Sequence, residues 1–177
     1  MSLVSIFIVL TSVGALISIP IFAVPITMQV AIVLLSGFML GSRLGFWTQL
    51  GYIALGLLGL PIFSAARGGL GIIISPTFGY LLGFPIAAFT VGFLKEKFEV
   101  KKLLHIVLIF TIALIWIYLF GFIYIWIFSE IIIGKDLSFI RALQISVLPF
   151  IAFDLAKIIL TSLIAKSLMP LTDRLKT

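Results

Sequence analysis

The sequence predicts an all-α integral membrane protein of about six transmembrane helices, and three observations carry that expectation. Of its 177 residues, 63% are hydrophobic and 10% charged, with a mean hydropathy of +1.38. That is too little polar surface to clothe a water-soluble globule of this size. The apolar residues fall into stretches near the roughly 20 residues that a helix needs to cross a bilayer. The net charge of +6 is distributed as membrane topology distributes it, not as a nucleic-acid-binding face does. The whole chain, 1–177, reads as one transmembrane domain.

The elements follow in order. A first helix is expected over 3–22. The first Lys or Arg is Arg43, so the apolar start lacks the basic lead of a cleavable signal and is expected to be a retained helix. Pro20 and Pro25 in "IPIFAVPI" mark a short turn, and a second helix over 27–42 ends at "GSR", which holds Gly41 and Arg43. A third helix over 44–60 leads to a connection at 61–76 bounded by Pro61 and Pro76, then a fourth helix over 77–95. The charged run "KEKFEVKK", Lys95 to Lys102, separates it from a fifth at 103–129. "SFIRALQISV", Ser138 to Val147, reads as a short amphipathic helix on the membrane surface before Pro149 opens a last helix over 148–169.

Placing both termini in the cytoplasm puts Arg43, Lys95, Lys97, Lys101, Lys102, Lys166, Arg174 and Lys176 inside, which is 8 of the 12 basic residues. This positive-inside bias sets the orientation and leaves the segments 21–26, 61–76 and 130–147 outside. Twelve of the 15 glycines lie between Gly37 and Gly92. The four-residue spacings Gly37, Gly41, Gly45 and Gly79, Gly83 suit close helix packing. His105 beside the inner basic run, Trp47 and Trp126 near span ends, Glu130 and Asp136 outside, and the tail with Asp173 and Arg174 all read as interfacial or solvated residues. Trp116, nearer mid-span, reads as packing. Without cysteine and with a single histidine, neither disulfides nor the usual transition-metal sites are expected.

Two features stand out against this background. "GLPIFSAARGGLG" sets Arg67 beside Gly68, Gly69 and Gly71 in irregular backbone, which cannot face lipid with its amides unpaired and is expected to fold over a wetted cavity. It lacks the Gly-Lys-Ser/Thr ending of a phosphate-binding loop and opens no strand–helix unit, so nucleotide binding is not expected. "VLPFIAFDLAKIIL" sets Asp154 and Lys157 in an apolar helix, with Thr161 continuing their face. Counted from Pro149 at 1.5 Å per residue, they lie ~8 and ~12 Å into the span. An ionisable residue at that depth costs several kcal/mol if it faces lipid. A binding site open to the outside, a self-neutralising structural pair and a proton or ion relay are the three readings. A small integral membrane enzyme would require a nucleophile–base pair or several clustered carboxylates, which one intramembrane acid does not supply.

The segments "VPITMQ", "GLPIFSAARGGLG", "SPTFGYLLGFPIAA" and "LPFIAFDLAK" resemble, in order and over nearly the whole chain, the signature segments of the BioY family, the biotin-binding S components of energy-coupling factor (ECF) transporters. The resemblance implies a six-helix S-component fold with biotin held near the extracellular side. It implies no cofactor, and import driven by a separate ECF module of a transmembrane coupling subunit plus two ATPase subunits. Carried over by motif, the substrate-binding residues are Asp154 and Lys157, then Arg67, Gly68 and Gly69, then Thr27, Gln29 and Tyr80. Helix one is where this family docks its membrane partner through small residues, here Thr11, Gly14, Ala15 and Ser18. An S component for another vitamin such as thiamine would share the fold and differ in the pocket.

Overall fold

The computed structural model describes residues 2–20, 24–131, 134 and 136–174, with side chains as far as Pro170. Lys176 and residues 21–23 of the first expected turn lie outside the described residues, as does the side chain of Arg174. The first helix, α1, runs Leu3–Leu16 and is capped by the Ser2 hydroxyl, which accepts from the Ser5 amide. It stops several residues short of the expected limit. The chain instead pairs Ser18–Ile19 (β1) antiparallel with Ile26–Thr27 (β2), Ser18 opposite Thr27 and Ile19 opposite Ile26. The two prolines explain the early end, because backbone approaching Pro20 is biased out of the helical region.

The second helix, α2, spans Gln29–Leu57 but reverses direction at Gly41 (φ +83, ψ 179). Its arms, 29–40 and 42–57, lie side by side. The Gln49 amide donates to the Ser36 hydroxyl at 2.9 Å and the Gln29 amide to the Tyr52 hydroxyl at 2.7 Å. In an unbroken helix the first pair alone would be ~20 Å apart. The "GSR" break expected from the sequence is therefore the tip of a helical hairpin. Only glycine fits at 41, where φ is left-handed and a Cβ would lie 2.5 Å from a Glu96 carboxylate oxygen. Close contact continues along the arms, since a Cβ on Gly45 would lie 2.9 Å from the Gly37 Cα.

The remaining helices are α3 (Phe78–Lys97), α4 (Leu103–Ile131), the short α5 (Phe139–Ser146) and α6 (Leu148–Arg174). Among the described residues, Gln29–Leu57, Phe78–Lys97, Leu103–Ile131 and Phe139–Pro170 are long and apolar enough to cross a membrane. With the α2 reversal counted, six long rods emerge: α1, the two arms, α3, α4 and α6. The amphipathic segment forms α5 as expected, capped by Ser138. The helix α3 packs between α2 and α4, while α6 packs against both α2 and α4. Val33, Leu34, Phe38, Ala87, Ala88, Val91, Phe110 and Ala113 fill the seams between these helices.

The end of α3 clamps the hairpin tip. Both oxygens of Glu96 accept from Ser42, from its amide and its hydroxyl, at 2.8 Å each. This supplies a carboxylate cap to the N-terminus of the second arm. Lys95 donates to the Phe38 carbonyl at 2.8 Å and sits 4.0 Å from the Phe38 ring centroid, placing a cation at the C-terminus of the first arm. Neighbouring residues of opposite charge thus match the opposite dipole ends of two adjacent arms.

Candidate functional site

The Asp154–Lys157 pair lies in the first turns of α6, where that helix meets β2 and α4. Both residues are buried, Asp154 at 3% exposure and Lys157 at 8%. Their side chains meet at 2.5 Å across one turn of α6. Each has a second partner from another element. Lys157 donates to the Thr27 carbonyl at 2.8 Å, tying α6 to β2, and the Tyr118 hydroxyl of α4 donates to the other Asp154 oxygen at 2.7 Å. Three parts of the chain converge on one ion pair, and this is why two charges persist at such depth.

The same side chains line a pocket with about 580 Å³ of open space, mouth included. Its lining joins a mostly apolar wall to a few convergent polar groups, the pattern of a small-molecule site. Beside Asp154, Lys157 and Tyr118, its polar lining comprises Thr27, Gln29, Ser64, Thr77 and Tyr80. Val24, Val30, Phe63, Leu81, Phe84, Ile117 and Phe150 give it apolar walls. A relay fixes one side: Thr27 donates to the Gln29 carbonyl oxygen at 3.0 Å, the Gln29 amide to Tyr52, and Tyr52 to the Ile62 carbonyl at 2.9 Å. The hairpin is thereby joined to both the β ladder and the outer connection. On the opposite side Tyr80 donates to the Ser146 carbonyl at 2.7 Å and its ring meets Phe150 edge-on at 5.7 Å. The short helix α5 is held against the pocket in this way.

Hydrogen-bond capacity remains for a guest. The Lys157 ammonium has three N–H donors, of which the Asp154 and Thr27 contacts use two. Each Asp154 oxygen is engaged by one donor, leaving lone pairs on both. The pocket can therefore hold a mostly apolar molecule bearing adjacent donors and an acceptor. Because the charges of Asp154 and Lys157 cancel, it has no strong bias toward a cation or an anion.

Of the residues expected from the sequence, Thr27, Gln29, Tyr80, Asp154 and Lys157 line this pocket together. Arg67, Gly68 and Gly69 do not line it. Phe63 and Arg67 pair across a tight turn, the Phe63 amide donating to the Arg67 carbonyl at 2.9 Å. The turn sends Phe63 and Ser64 inward and leaves Arg67 exposed, its Nε donating to the Ser64 carbonyl at 3.2 Å. Ala65 (φ 59) and Ala66 (φ 52) adopt left-handed backbone at its tip, a sparsely populated region for alanine. Gly68 packs against the Leu60 carbonyl, and the Gly69 amide donates to the Gly56 carbonyl at 2.7 Å. These two glycines shape the loop's foot. The Phe63 ring is seated over Gly56 and meets Tyr52 edge-on at 5.5 Å.

Tyr118 is the residue that sequence reasoning missed. It sits in the fifth expected helix, whose apolar run looks generic; the available signal is a phenol near mid-span, since a buried Tyr hydroxyl needs a partner. The expected docking residues face inward. Thr11 and Ala15 are fully buried, and a Cβ on Gly14 would meet Ile32 at 2.5 Å and the Gln29 amide nitrogen at 3.2 Å. Thr11 also accepts from Gln49 at 3.4 Å, and Ser18 lies in the β ladder. The outward stripe of α1 is aliphatic: Ile6, Val9, Leu10 and Val13.

A small, mostly helical membrane protein with an apolar pocket beneath the loops at one end and an ion pair in the pocket wall is the class that fold and site define. The chain belongs to the BioY family, whose model matches residues 1–174. It is 40% identical over 168 residues to a probable biotin transporter BioY of Pyrococcus horikoshii, covering 94% of each chain. It is 37% identical over 167 residues to a biotin transporter BioY of Thermotoga maritima, covering 94% of this chain and 93% of that one. Its fold matches the crystal structure of an S component for biotin from an ECF-type ABC transporter, with a TM-score of 0.80 and 25% identity over 93% of this chain and 87% of the other.

Proposed function

We propose that this chain is the biotin-binding S component of an ECF-type importer, taking up biotin from the outer side of the cell membrane. The observation that carries the reading is the Asp154–Lys157 pair with Tyr118 in the wall of an apolar pocket. Biotin has an apolar bicyclic ring, two ureido N–H donors, a ureido carbonyl and a carboxylate tail. The free lone pairs of Asp154 suit the N–H donors, and the remaining Lys157 donor suits the carbonyl. Burying the tail beside Asp154 would set two carboxylates together, so the tail is directed away from it, toward the turn from Ser64, which lines the pocket, to the exposed Arg67, which keeps most of its guanidinium donors uncommitted. The inner wall would then read the ring and the rim would read the tail.

The names of its relatives support biotin over other vitamins. The chemistry supports the same choice against thiamine, because a cationic ligand gains little from an acid already neutralised by Lys157. Energy for accumulation is assigned to a separate module of a transmembrane coupling subunit and two ATPase subunits. Docking on α1 through Thr11, Gly14, Ala15 and Ser18 belongs to the same proposal. Since the first three pack inward, substitutions there are expected to disturb binding as well as coupling. Both termini are assigned to the cytoplasm by the charge bias.

The test is calorimetry in detergent with biotin, biotin methyl ester and thiamine. Biotin should bind, the ester should bind more weakly through loss of the tail's charge, and thiamine should not compete. Thiamine displacing biotin at similar concentration would assign the pocket to another ligand.

A further inference from the structure

We propose that the lipid-facing seam between the second arm of α2 and α3 is a binding site for one anionic phospholipid at the inner end of the bundle. A groove there, about 680 Å³ with its open side included, is walled by Phe46, Trp47, Ile86 and Phe89, with Arg43 as its one charged residue. Trp47 is 62% exposed and Phe89 40%. These aromatics form a ledge against which an acyl chain can lie, with the Trp indole at headgroup level. Phe89 stacks on Phe93 at 5.9 Å, and the Lys97 ammonium lies 5.7 Å from the Phe93 ring centroid. A second cation therefore lies beside the ring that extends this aromatic row along α3.

Charge selects the occupant. Arg43 is exposed and makes no hydrogen bond or ion pair with any described residue. The nearby acid, Glu96, holds Ser42 with both oxygens and is flanked in sequence by Lys95 and Lys97. Arg43, Lys95 and Lys97 against this one carboxylate leave net positive charge at one end of the seam. A guanidinium fork matches a phosphate's oxygens in bidentate fashion. The apolar wall requires the rest of the ligand to be hydrocarbon, which a soluble phosphate lacks. In a zwitterionic phospholipid the headgroup ammonium offsets the phosphate, so an anionic headgroup such as phosphatidylglycerol is favoured. At about fivefold in affinity per basic residue near a charged headgroup, two cations give a preference on the order of tenfold or more.

Native mass spectrometry of the purified full chain, titrated with phosphatidylglycerol and with phosphatidylcholine of identical acyl chains, tests the site. The wild type should retain the anionic lipid on the order of tenfold more tightly. Arg43→Gln should cut that preference about fivefold, Arg43→Lys should restore part of it, and Trp47→Ala should weaken both lipids. Biotin binding by Arg43→Gln, whose side chain lies away from the vitamin pocket, reports that the variant is folded. No headgroup preference in the wild type, or a preference that Arg43→Gln leaves undiminished, would overturn the proposal. A lipid-free species of twice the mass that disappears with Trp47→Ala would assign the face to a second copy of the chain and overturn it equally.

Discussion

Removing the charges of Asp154 and Lys157 singly and together separates their two energetic roles. In Asp154→Asn the Lys157 ammonium loses its partner at 2.5 Å and keeps one neutral acceptor, the Thr27 carbonyl. In Lys157→Met the carboxylate keeps one donor, the Tyr118 hydroxyl. Breaking one half of a buried pair costs about 3–5 kcal/mol, whereas removing both halves approaches neutrality. At roughly 2–4 °C per kcal/mol for a chain of this size, each single variant should melt on the order of 10 °C lower, and Asp154→Asn/Lys157→Met should recover most of the loss. Affinity should follow another course. An unmet buried hydrogen-bonding group costs about 1–3 kcal/mol, so two such groups on biotin weaken binding by roughly 30-fold to 10⁴-fold. The assay is melting temperature and calorimetric biotin affinity for all four proteins in one detergent. A folded double variant with near-wild-type affinity would remove this pair from the site. A double variant no more stable than the worse single one would refute the electrostatic account of the pair.

Tyr118→Phe should weaken biotin binding by about tenfold with little loss of melting temperature, since it removes one donor from Asp154 and leaves the ring's packing; calorimetry reads the first and thermal shift the second. Gly41→Ala should destabilise the protein by about 1–3 kcal/mol through left-handed backbone and crowding against Glu96, measured as a lowered melting temperature. Gly14→Leu should lower both melting temperature and biotin affinity, because the new side chain presses on Ile32 and the Gln29 backbone beside the pocket. For topology, cysteine at Leu70, 69% exposed in the outer connection, should react with an impermeant thiol reagent on intact cells, and cysteine at Glu99 in the inner run should not. The opposite labelling pattern would invert the orientation.

What the sequence discloses depends on how many solutions a residue has. Asp154 and Lys157 were legible because charges three residues apart in an apolar helix have few inexpensive arrangements other than facing each other inside the protein. Gly41 was legible as a break because "GSR" interrupts an apolar run, although only the structure reveals it as a hairpin tip. The helix α5 followed from its amphipathic pattern ahead of Pro149. Small residues on α1 were ambiguous by nature: Gly14 and Ala15 permit close approach of any helix, and the chain's own α2 occupies that space. Two-residue strands carry almost no pattern, so the β1–β2 ladder arises from tertiary closure over the pocket. Tyr118 stayed hidden because a phenol in an apolar helix is read by composition as hydrophobic. The direction in which Arg67 points was beyond reach for a similar reason, since the turn that flips it outward depends on two left-handed alanines.

The hairpin explains how its tip at Gly41 is mechanically joined to the pocket. Its arms are cross-linked by polar contacts at three levels: Glu96 and Lys95 at the tip, Gln49 with Ser36 and Thr11 in the middle, and Gln29 with Tyr52 at the pocket. In a surround without competing water each rung fixes the register of the two arms, because a slipped pair would leave buried donors unmatched. The middle rung is the least complete, since the Gln49 side-chain oxygen is buried without a hydrogen-bond partner among the described residues. A register shift is therefore least costly at that level, and it would move Tyr52, its Ile62 acceptor and Phe63 together relative to Gln29. Gln49→Leu tests the argument. Loss of this rung should leave folding stability within about 1–2 kcal/mol of wild type, because the orphaned oxygen disappears along with the two donated bonds. It should nevertheless speed biotin dissociation, measured by stopped flow, as the second arm loses its hold on the outer connection. Unchanged dissociation in a folded Gln49→Leu variant would show that the outer rung alone sets the geometry of the pocket.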